Sequence, residues 1–224
     1  MSETFSNMSN KDSVKFKTIY KKRRPLEFLD ISELNNWRQI LYRRSLIGQN
    51  REKYGGIAYG NLSQRLVPYD SPMNERSFII TGSGTGSLEN LIRKNYSIVL
   101  EYYPENNMVV VEKGSINASS ESMTHGTIYD LDESARFVFH VHSGEIWKNA
   151  KKLGIQITGA NVEYGTLEIA DEVSRLFEET NVKDSKIFSM GGHEDGIISF
   201  GTTAREAGSI LLKYLSKFRK KFES

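Results

Sequence analysis

Residues 117–142 read NASSESMTHGTIYDLDESARFVFHVH, and the prediction of the fold is organised around them. The stretch ends in Phe137-Val138-Phe139, an aromatic and β-branched run that predicts a strand. His140 and His142 continue this strand, and residues two apart in a strand point to the same face. The two imidazoles can therefore converge on one metal ion. Because a histidine pair at this spacing is a weak signal alone, the rest of the chain must supply a third ligand.

The composition excludes several classes of protein. The chain has 224 residues, enough for one substantial core, and it has no cysteine, which excludes disulfides and thiolate metal sites. Its 30 basic and 28 acidic residues leave a net charge of +2, so there is no electrostatic case for nucleic acid as the main partner. No window approaches the apolar length of a membrane span, and the first residues lack the apolar core of a signal peptide. We therefore expect a cytoplasmic protein with no membrane and no nucleic-acid partner.

The N-terminal segment, residues 1–29, is predicted to be a polar extension, and residues 30–224 are predicted to form the folded domain. The extension is rich in Ser, Asn and Lys and contains the basic run Lys21-Lys22-Arg23-Arg24. A solvated tail is favoured over an anion-binding patch, because no aromatic residues interleave with these charges and the net charge is small.

Two glycine-rich loops are candidates for binding an anion. The first, within residues 54–67, places Asn61 directly after Gly60; the second, residues 81–87, reads TGSGTGS and contains Ser83 and Gly84. Successive backbone N–H groups in such a loop can form an anion-binding concavity. Neither loop has the Gly-Lys-Ser/Thr of a phosphate-binding P-loop or the dinucleotide fingerprint. Two such loops in one small domain favour an anionic substrate.

The periodicity predicts helices that flank a sheet. Helical patterns occur near residues 30–45, 121–129, 145–153, 166–177 and 203–215, between runs typical of strands. Several of these strand pairs are separated only by hairpin turns, and no regular βαβ period is present. The pattern is typical of an α/β or α+β sandwich around a mostly antiparallel sheet.

Two further residues complete a candidate catalytic centre. His193 lies in a turn bounded by glycines, and Glu121 begins the helical pattern that Ser119 or Ser120 can cap. Three histidines with an open fourth position are typical of a catalytic metal site, usually zinc. A carboxylate beside such a cation can act as general acid and base. The spacing alone leaves open the alternative that these histidines form ordinary hydrogen bonds and bind no metal.

Between residues 31 and 216, the chain resembles the class II aldolase/adducin family, a zinc-dependent group of sugar-phosphate aldolases and epimerases. The segments that carry the resemblance occur in the family's order and are Gly60-Asn61-Leu62-Ser63-Gln64-Arg65, Ile80-Thr81-Gly82-Ser83-Gly84, Ala118-Ser119-Ser120-Glu121 with His125 and Tyr129, His140-Val141-His142, Tyr164-Gly165-Thr166 and Gly196-Ile197-Ile198.

The resemblance implies a fold and an activity. The fold is a three-layer α/β sandwich with a central, mostly antiparallel sheet flanked by helices. The activity is that of a zinc-dependent lyase, in which Zn²⁺ or another divalent metal stabilises an enediolate while a C–C bond of a ketose phosphate or related small phosphorylated sugar is cleaved or formed. A sugar-phosphate 4-epimerase, a dehydratase and a non-catalytic adducin-like interaction domain are the alternatives. A homotetramer is implied as well.

The resemblance also implies the roles of individual residues. Zinc is bound by His140 and His142 with a third histidine, and Glu121 is the acid/base group. Phosphate is held by a set of small polar residues and glycine, namely Asn61, Ser83, Gly84, Ser119 and Ser120. His125 is not one of the expected ligands and is predicted to support the site or the helix packing.

One departure from the family pattern concerns the third metal ligand. The family has Asn-His-Gly where this chain has Gly192-His193-Glu194-Asp195-Gly196. Alignment on Gly196 puts Asp195 at the ligand position, whereas a two-residue shift of the loop brings in His193. We favour His193, because imidazole is the better zinc ligand.

Overall fold

The chain is described by a computed structural model that covers residues 16–22, 29–113 and 115–222. Within these ranges the strands are β1 (Lys17–Lys21), β2 (Gly48–Gln49), β3 (Ala58–Tyr59), β4 (Asn61–Arg65), β5 (Phe78–Thr81), β6 (Tyr96–Tyr103), β7 (Met108–Glu112), β8 (Phe137–His142), β9 (Gln156–Ile157), β10 (Ile187–Ser189) and β11 (Gly196–Gly201). The helices are α1 (Ser32–Tyr42), α2 (Ser122–Leu131), α3 (Gly144–Lys148), α4 (Ala150–Leu153), α5 (Leu167–Glu179), α6 (Val182–Ser185) and α7 (Ala204–Phe222).

Nine strands form one sheet in the order β1-β7-β6-β5-β4-β8-β11-β10-β9, and β2 pairs with β3 separately. Every pair in the large sheet is antiparallel except the two outermost, β1 with β7 and β10 with β9. The predicted mostly antiparallel sheet with flanking helices is therefore confirmed. None of the helices in the described residues combines the length and the apolar character that a bilayer crossing needs.

Alternation along the strands divides the interior into two cores, one on each face of the sheet. On β8, Phe139 and Val141 join the core that packs against α1 and α7, whereas Val138 joins the core that packs against α2 and α5. The layers are therefore helix, sheet and helix, as the three-layer prediction states. His140 and His142 share the face of Val138 and follow it toward the end of the strand.

The N-terminal segment contributes more to the sheet than a polar extension would. Residues 1–15 and 23–28 lie outside the described residues, but Lys17–Lys21 pairs with β7, and Phe16 is buried. Lys21 Nζ also reaches across β7 to Glu101 on β6, at a distance of 2.7 Å. The run TIY is β-prone, and a strand of five residues gains its stability from pairing along a neighbour, which composition does not reveal.

Candidate active site

Two histidines on β8 form the rigid part of the candidate site. His140 and His142 lie with ring centroids 5.1 Å apart, and both side chains are buried. Both neighbours of β8 constrain its position, because β4 pairs with it on one side and β11 on the other. The central strand therefore presents the two imidazoles in a defined orientation.

The turn between β10 and β11 brings His193 to the same place. Its ring centroid lies 4.9 Å from that of His140 and 4.8 Å from that of His142. A Cβ atom on Gly192 would lie 2.1 Å from the carbonyl oxygen of Val162, so only glycine lets the two backbones approach this closely. Tyr164 then stacks on His193 with a centroid distance of 4.3 Å.

The three histidines have the properties of a metal centre. One ligand atom from each can be chosen so that all lie within 4.8 Å of one another. Ligands of tetrahedral zinc lie roughly 3.4 Å apart, so small side-chain rotations suffice to close the set. Within the described residues, each ring also keeps one buried nitrogen that has no hydrogen-bond partner, namely His140 Nε2, His142 Nδ1 and His193 Nδ1. Orphaned buried nitrogens are costly, and a divalent cation would satisfy them.

The protonation of the two β8 histidines suits a cation. Burial and the neighbouring His193 and His142 rings hold the pKa of His140 well below its usual value. Burial and His193 lower the pKa of His142 to about 2. Both imidazoles are therefore neutral near pH 7, and the neutral ring is the form that binds metal.

Asn61 orients His140 from the neighbouring strand. Its side-chain amide lies 3.1 Å from His140 Nδ1, and Asn61 Oδ1 has no other partner among the described residues. Turning the amide over lets Oδ1 accept a hydrogen bond from Nδ1–H, which leaves Nε2 free to face a metal. Asn61, predicted to bind phosphate, is thus also in contact with a candidate metal ligand.

Asp195 lies outside the triad. Its carboxylate accepts a hydrogen bond from the Tyr54 hydroxyl, and Lys53 Nζ lies 3.7 Å from it. Asp195 itself adopts a left-handed conformation with φ of 63°. The backbone turn therefore directs Asp195 toward the loop of Lys53 and Tyr54, whereas His193 reaches the β8 histidines.

Glu121 lies beside the triad at the start of α2. Its carboxylate is 2% exposed, and Oε1 lies 3.1 Å from His193 Nδ1. This approach lacks hydrogen-bond geometry, and Oε1 is without another partner in the described part of the chain, so the atom points into the site. The second oxygen accepts a weak hydrogen bond from Thr124 at 3.3 Å. One oxygen is thus held while the other faces the triad.

The second glycine-rich loop, residues 81–87, is joined to residues 117–120, which precede α2. Ser83 N–H donates to Asn117 O at 2.9 Å, and Gly82 forms an antiparallel bridge with Ala118. This contact places Gly84, with φ of 74°, opposite Ser119 and Ser120. A helix N-terminus carries free N–H groups and a partial positive charge, which is the environment that a phosphate requires.

All nine predicted site residues line one cavity of about 310 Å³: Asn61, Ser83, Gly84, Ser119, Ser120, Glu121, His140, His142 and His193. Sequence reasoning did not assign Tyr54 and Tyr59, whose rings lie 4.6 Å and 5.0 Å from the ring of His142. The Tyr-Gly-Gly of the first glycine-rich loop was the available signal for Tyr54. Burial, together with the hydrogen bond to Asp195, raises the pKa of Tyr54, so its hydroxyl remains protonated.

His125 lies outside the cavity, in a buried network. Its Nδ1 lies 2.7 Å from Ser63 Oγ, which in turn lies 2.7 Å from the Tyr129 hydroxyl. Burial lowers the pKa of His125 to about 3, so the ring is neutral. The network connects α2, which carries Glu121, to β4, which carries Asn61.

The side chain of Arg38 supports the second glycine-rich loop through hydrogen bonds. This α1 side chain is 1% exposed and donates to the carbonyl oxygens of Thr85, Leu88 and Glu89, at 3.0 Å for Thr85 and 2.8 Å for Glu89. Three carbonyls from one turn therefore converge on one guanidinium. This contact, together with a 3₁₀ turn at Thr85–Ser87, holds the shape of the loop that contains Ser83.

Replacing Arg38 with leucine is expected to destabilise the chain and open this loop. The change leaves the buried carbonyl of Thr85 and the partly buried carbonyls of Leu88 and Glu89 without their donor, which should lower the free energy of unfolding by about 3 kcal/mol. Denaturant unfolding measures the effect, and Arg43→Leu is the control, because Arg43 is exposed and its nearest carboxylate, on Glu89, is 4.0 Å away. Equal stability of the two variants would contradict the role given to Arg38.

Comparison with known proteins identifies the family. A family model described as "Class II Aldolase and Adducin N-terminal domain" matches residues 49–213. No curated protein sequence matches the chain significantly.

Solved structures share the fold at low sequence identity. The L-fuculose-1-phosphate aldolase of Thermus thermophilus is 17% identical, with a TM-score of 0.61 over 86% of this chain and 92% of that one. A sugar-phosphate aldolase from Thermotoga maritima is 15% identical, with a TM-score of 0.59 over 86% and 94%. YgbL from Escherichia coli, whose description names aldolase, epimerase and decarboxylase as alternatives, is 17% identical, with a TM-score of 0.57 over 85% and 86%. With a family model matched over most of its length and these folds around it, the chain belongs to the class II aldolase/adducin family.

Proposed function

We propose that this protein is a zinc-dependent lyase that cleaves or forms a C–C bond in a ketose phosphate or a related small phosphorylated sugar. The observation that carries the proposal is the convergence of three histidines, Glu121 and the residues predicted to bind phosphate on one cavity of about 310 Å³. Each of these parts, taken alone, can be explained by the stability of the fold. Their meeting in one cavity is what a metal-dependent reaction of a phosphorylated substrate requires.

His140, His142 and His193 are assigned as the metal ligands, with Zn²⁺ as the metal. The set of three imidazoles suits zinc better than magnesium or calcium, which prefer oxygen ligands. A cation held by these residues would supply Lewis-acid polarisation of a carbonyl oxygen of the substrate. Asn61 holds the His140 ring through Nδ1, which sets the direction of the opposite nitrogen.

The phosphate of the substrate is assigned to the loops beside the N-terminus of α2. Ser83 and Gly84 supply one side, and Ser119 and Ser120 supply the other, next to the positive end of the helix. Asn61 lines the same cavity and is included in the phosphate-binding set, so that its amide serves both His140 and the phosphate. Binding the phosphate at this point orients the rest of the sugar toward the histidines.

Glu121 is assigned as the general acid and base. Its Oε1 faces the triad and has no hydrogen-bond partner within the described residues, so it can take a proton from the hydroxyl or carbon next to the polarised carbonyl and return it. Tyr164 and Tyr54 border the cavity, and their rings keep water away from the histidines.

Two alternatives lie within the same family. Epimerisation by cleavage and re-addition, or dehydration, would use the same metal, phosphate loops and carboxylate. A non-catalytic, adducin-like interaction domain belongs to a different class of function. It is disfavoured because such a domain would have no need to keep Glu121 and three histidines around one cavity.

A substrate screen tests the proposal. The zinc-supplemented protein is incubated with ketose 1-phosphates and pentulose 5-phosphates, and the products are separated by chromatography, which resolves epimers, and identified by mass spectrometry. Release of dihydroxyacetone phosphate or a similar fragment is the expected result, and an isomer of unchanged mass would favour the epimerase. A protein that is loaded with metal but converts none of these substrates would favour the interaction domain.

We also propose a homotetramer with active sites at subunit interfaces. The family resemblance supports this assembly, and light scattering measures it directly. A molar mass near four chains is expected at micromolar concentration. A monomer would contradict the assembly.

A further inference from the structure

A second, larger cavity lies behind the wall formed by His142, Tyr54 and Tyr59. It has a volume of about 1060 Å³, and these three residues line both cavities. Its other walls come from the loop after α1, the start of α3 and the last turns of α7. We call this cavity the basic cleft, because of the side chains that line it.

The charge of the basic cleft exceeds that of the whole protein. Among the described residues, two acidic side chains line it, Glu145 and Asp195, together with six basic ones: Arg43, Arg44, Lys53, Lys148, Arg219 and Lys220. Six positive and two negative charges leave +4 in the cleft, whereas the complete chain carries +2. The rest of the chain is therefore slightly acidic, and the positive charge is concentrated in this one concave place.

This concentration does not result from a single charged helix end. Arg44 follows α1, Lys148 ends α3 and Arg219 is on the last turns of α7, so the fold brings separate segments together. Arg219 and Lys220 belong to the basic C-terminal run of α7, and both line the cleft. Like charges gathered from separate segments repel one another unless an anion binds between them.

The carboxylates near the cleft neutralise it only weakly. Arg43 Nε lies 4.0 Å from Glu89 with both side chains more than half exposed, and Lys53 Nζ lies 3.7 Å from Asp195. The exposed pair contributes little, and the buried carboxylate of Asp195 is shared between Lys53 and the Tyr54 hydroxyl. Arg44 Nη1 donates to Ile40 O, one turn earlier, and its guanidinium has further donors for a ligand.

We propose that the basic cleft binds a small anion that carries at least two phosphate or carboxylate groups. The concave shape and the volume are those of a small-molecule pocket. Guanidinium groups on two walls, Arg44 and Arg219, provide the geometry for bidentate contacts with phosphate or carboxylate oxygens. The site is separate from the phosphate loops at α2 and does not depend on the proposed lyase activity.

The test measures binding of inorganic trimetaphosphate, a compact trianion, to the full-length protein by calorimetry at low salt, where screening is weak. The cleft variant is Arg44→Gln/Lys148→Gln/Arg219→Gln. Its matched control is Arg93→Gln/Lys183→Gln/Arg205→Gln, which removes the same charge from exposed residues that line neither cavity. A second arm uses Ser83→Ala/Ser119→Ala, which alters only the loops assigned to the substrate phosphate.

The cleft variant is expected to bind trimetaphosphate at least about tenfold more weakly than the wild-type protein, because it loses three charge-assisted contacts. The control and the serine variant should stay within about twofold of the wild type. Equal weakening in the cleft variant and the control would show general charge attraction and overturn the proposal. Binding lost only in the serine variant would place the anion in the phosphate loops and overturn it as well. A changed molar mass in the cleft variant with unchanged binding would assign the cleft to a subunit interface instead.

Discussion

Replacing Glu121 with alanine is expected to lower turnover about a thousandfold while the protein keeps its metal. The carboxylate is buried at the start of α2, with Oε1 directed at the triad, and no second carboxylate in the described residues is comparably placed. The three histidines remain after the substitution, so the metal should stay. The loss therefore belongs to proton transfer rather than to metal binding.

Turnover and metal content must be measured on the same preparation. The matched control is Glu194→Ala, since Glu194 lines the same cavity but is exposed, and it should retain most of the activity. Full activity in Glu121→Ala would remove Glu121 from the acid/base role. Loss of metal together with activity would make Glu121 a ligand instead.

The second large effect separates His193 from Asp195. His193→Ala is expected to weaken zinc binding by more than about a hundredfold, because even partners of metal ligands contribute about 10- to 100-fold to affinity. Asp195→Asn should weaken it by less than about tenfold, since in the described part of the chain this carboxylate bonds to Tyr54 and pairs with Lys53, neither of which belongs to the triad.

Competition with a chromogenic zinc chelator measures both dissociation constants. Circular dichroism and thermal unfolding of the two variants serve as the control for folding. The opposite order, in which Asp195→Asn binds zinc more weakly than His193→Ala, would mean that the metal draws the turn into a different conformation. Asp195 would then be the third ligand.

The features that were predicted from the sequence are those with local causes. The alternation of FVFHVH is a property of the strand itself, so its burial and the common face of His140 and His142 follow from the residues alone. Apolar periodicity likewise predicted α5 and α7, which the structure places at Leu167–Glu179 and Ala204–Phe222. Membership of the family was predicted from short motifs in order, and the matched family model confirms it.

The remaining features depend on contacts between distant segments. The direction of His193 is set by Gly191 and Gly192, whose backbones press against residues 158–162, and no local pattern predicts that approach. Arg38 is another case, since the helical pattern near residues 30–45 does not indicate that this arginine is buried under a loop that lies about fifty residues later. The edge strand β1 also required a partner, β7, that the composition of the N-terminal segment does not indicate.

The central claim is a divalent metal centre on His140, His142 and His193, and metal analysis of the purified protein tests it most directly. After incubation with zinc and removal of the excess, inductively coupled plasma mass spectrometry should find about one equivalent of zinc per chain. The same treatment of His140→Ala should leave little metal. Less than about a tenth of an equivalent in the reconstituted wild-type protein would contradict the metal centre and favour a non-catalytic interaction domain.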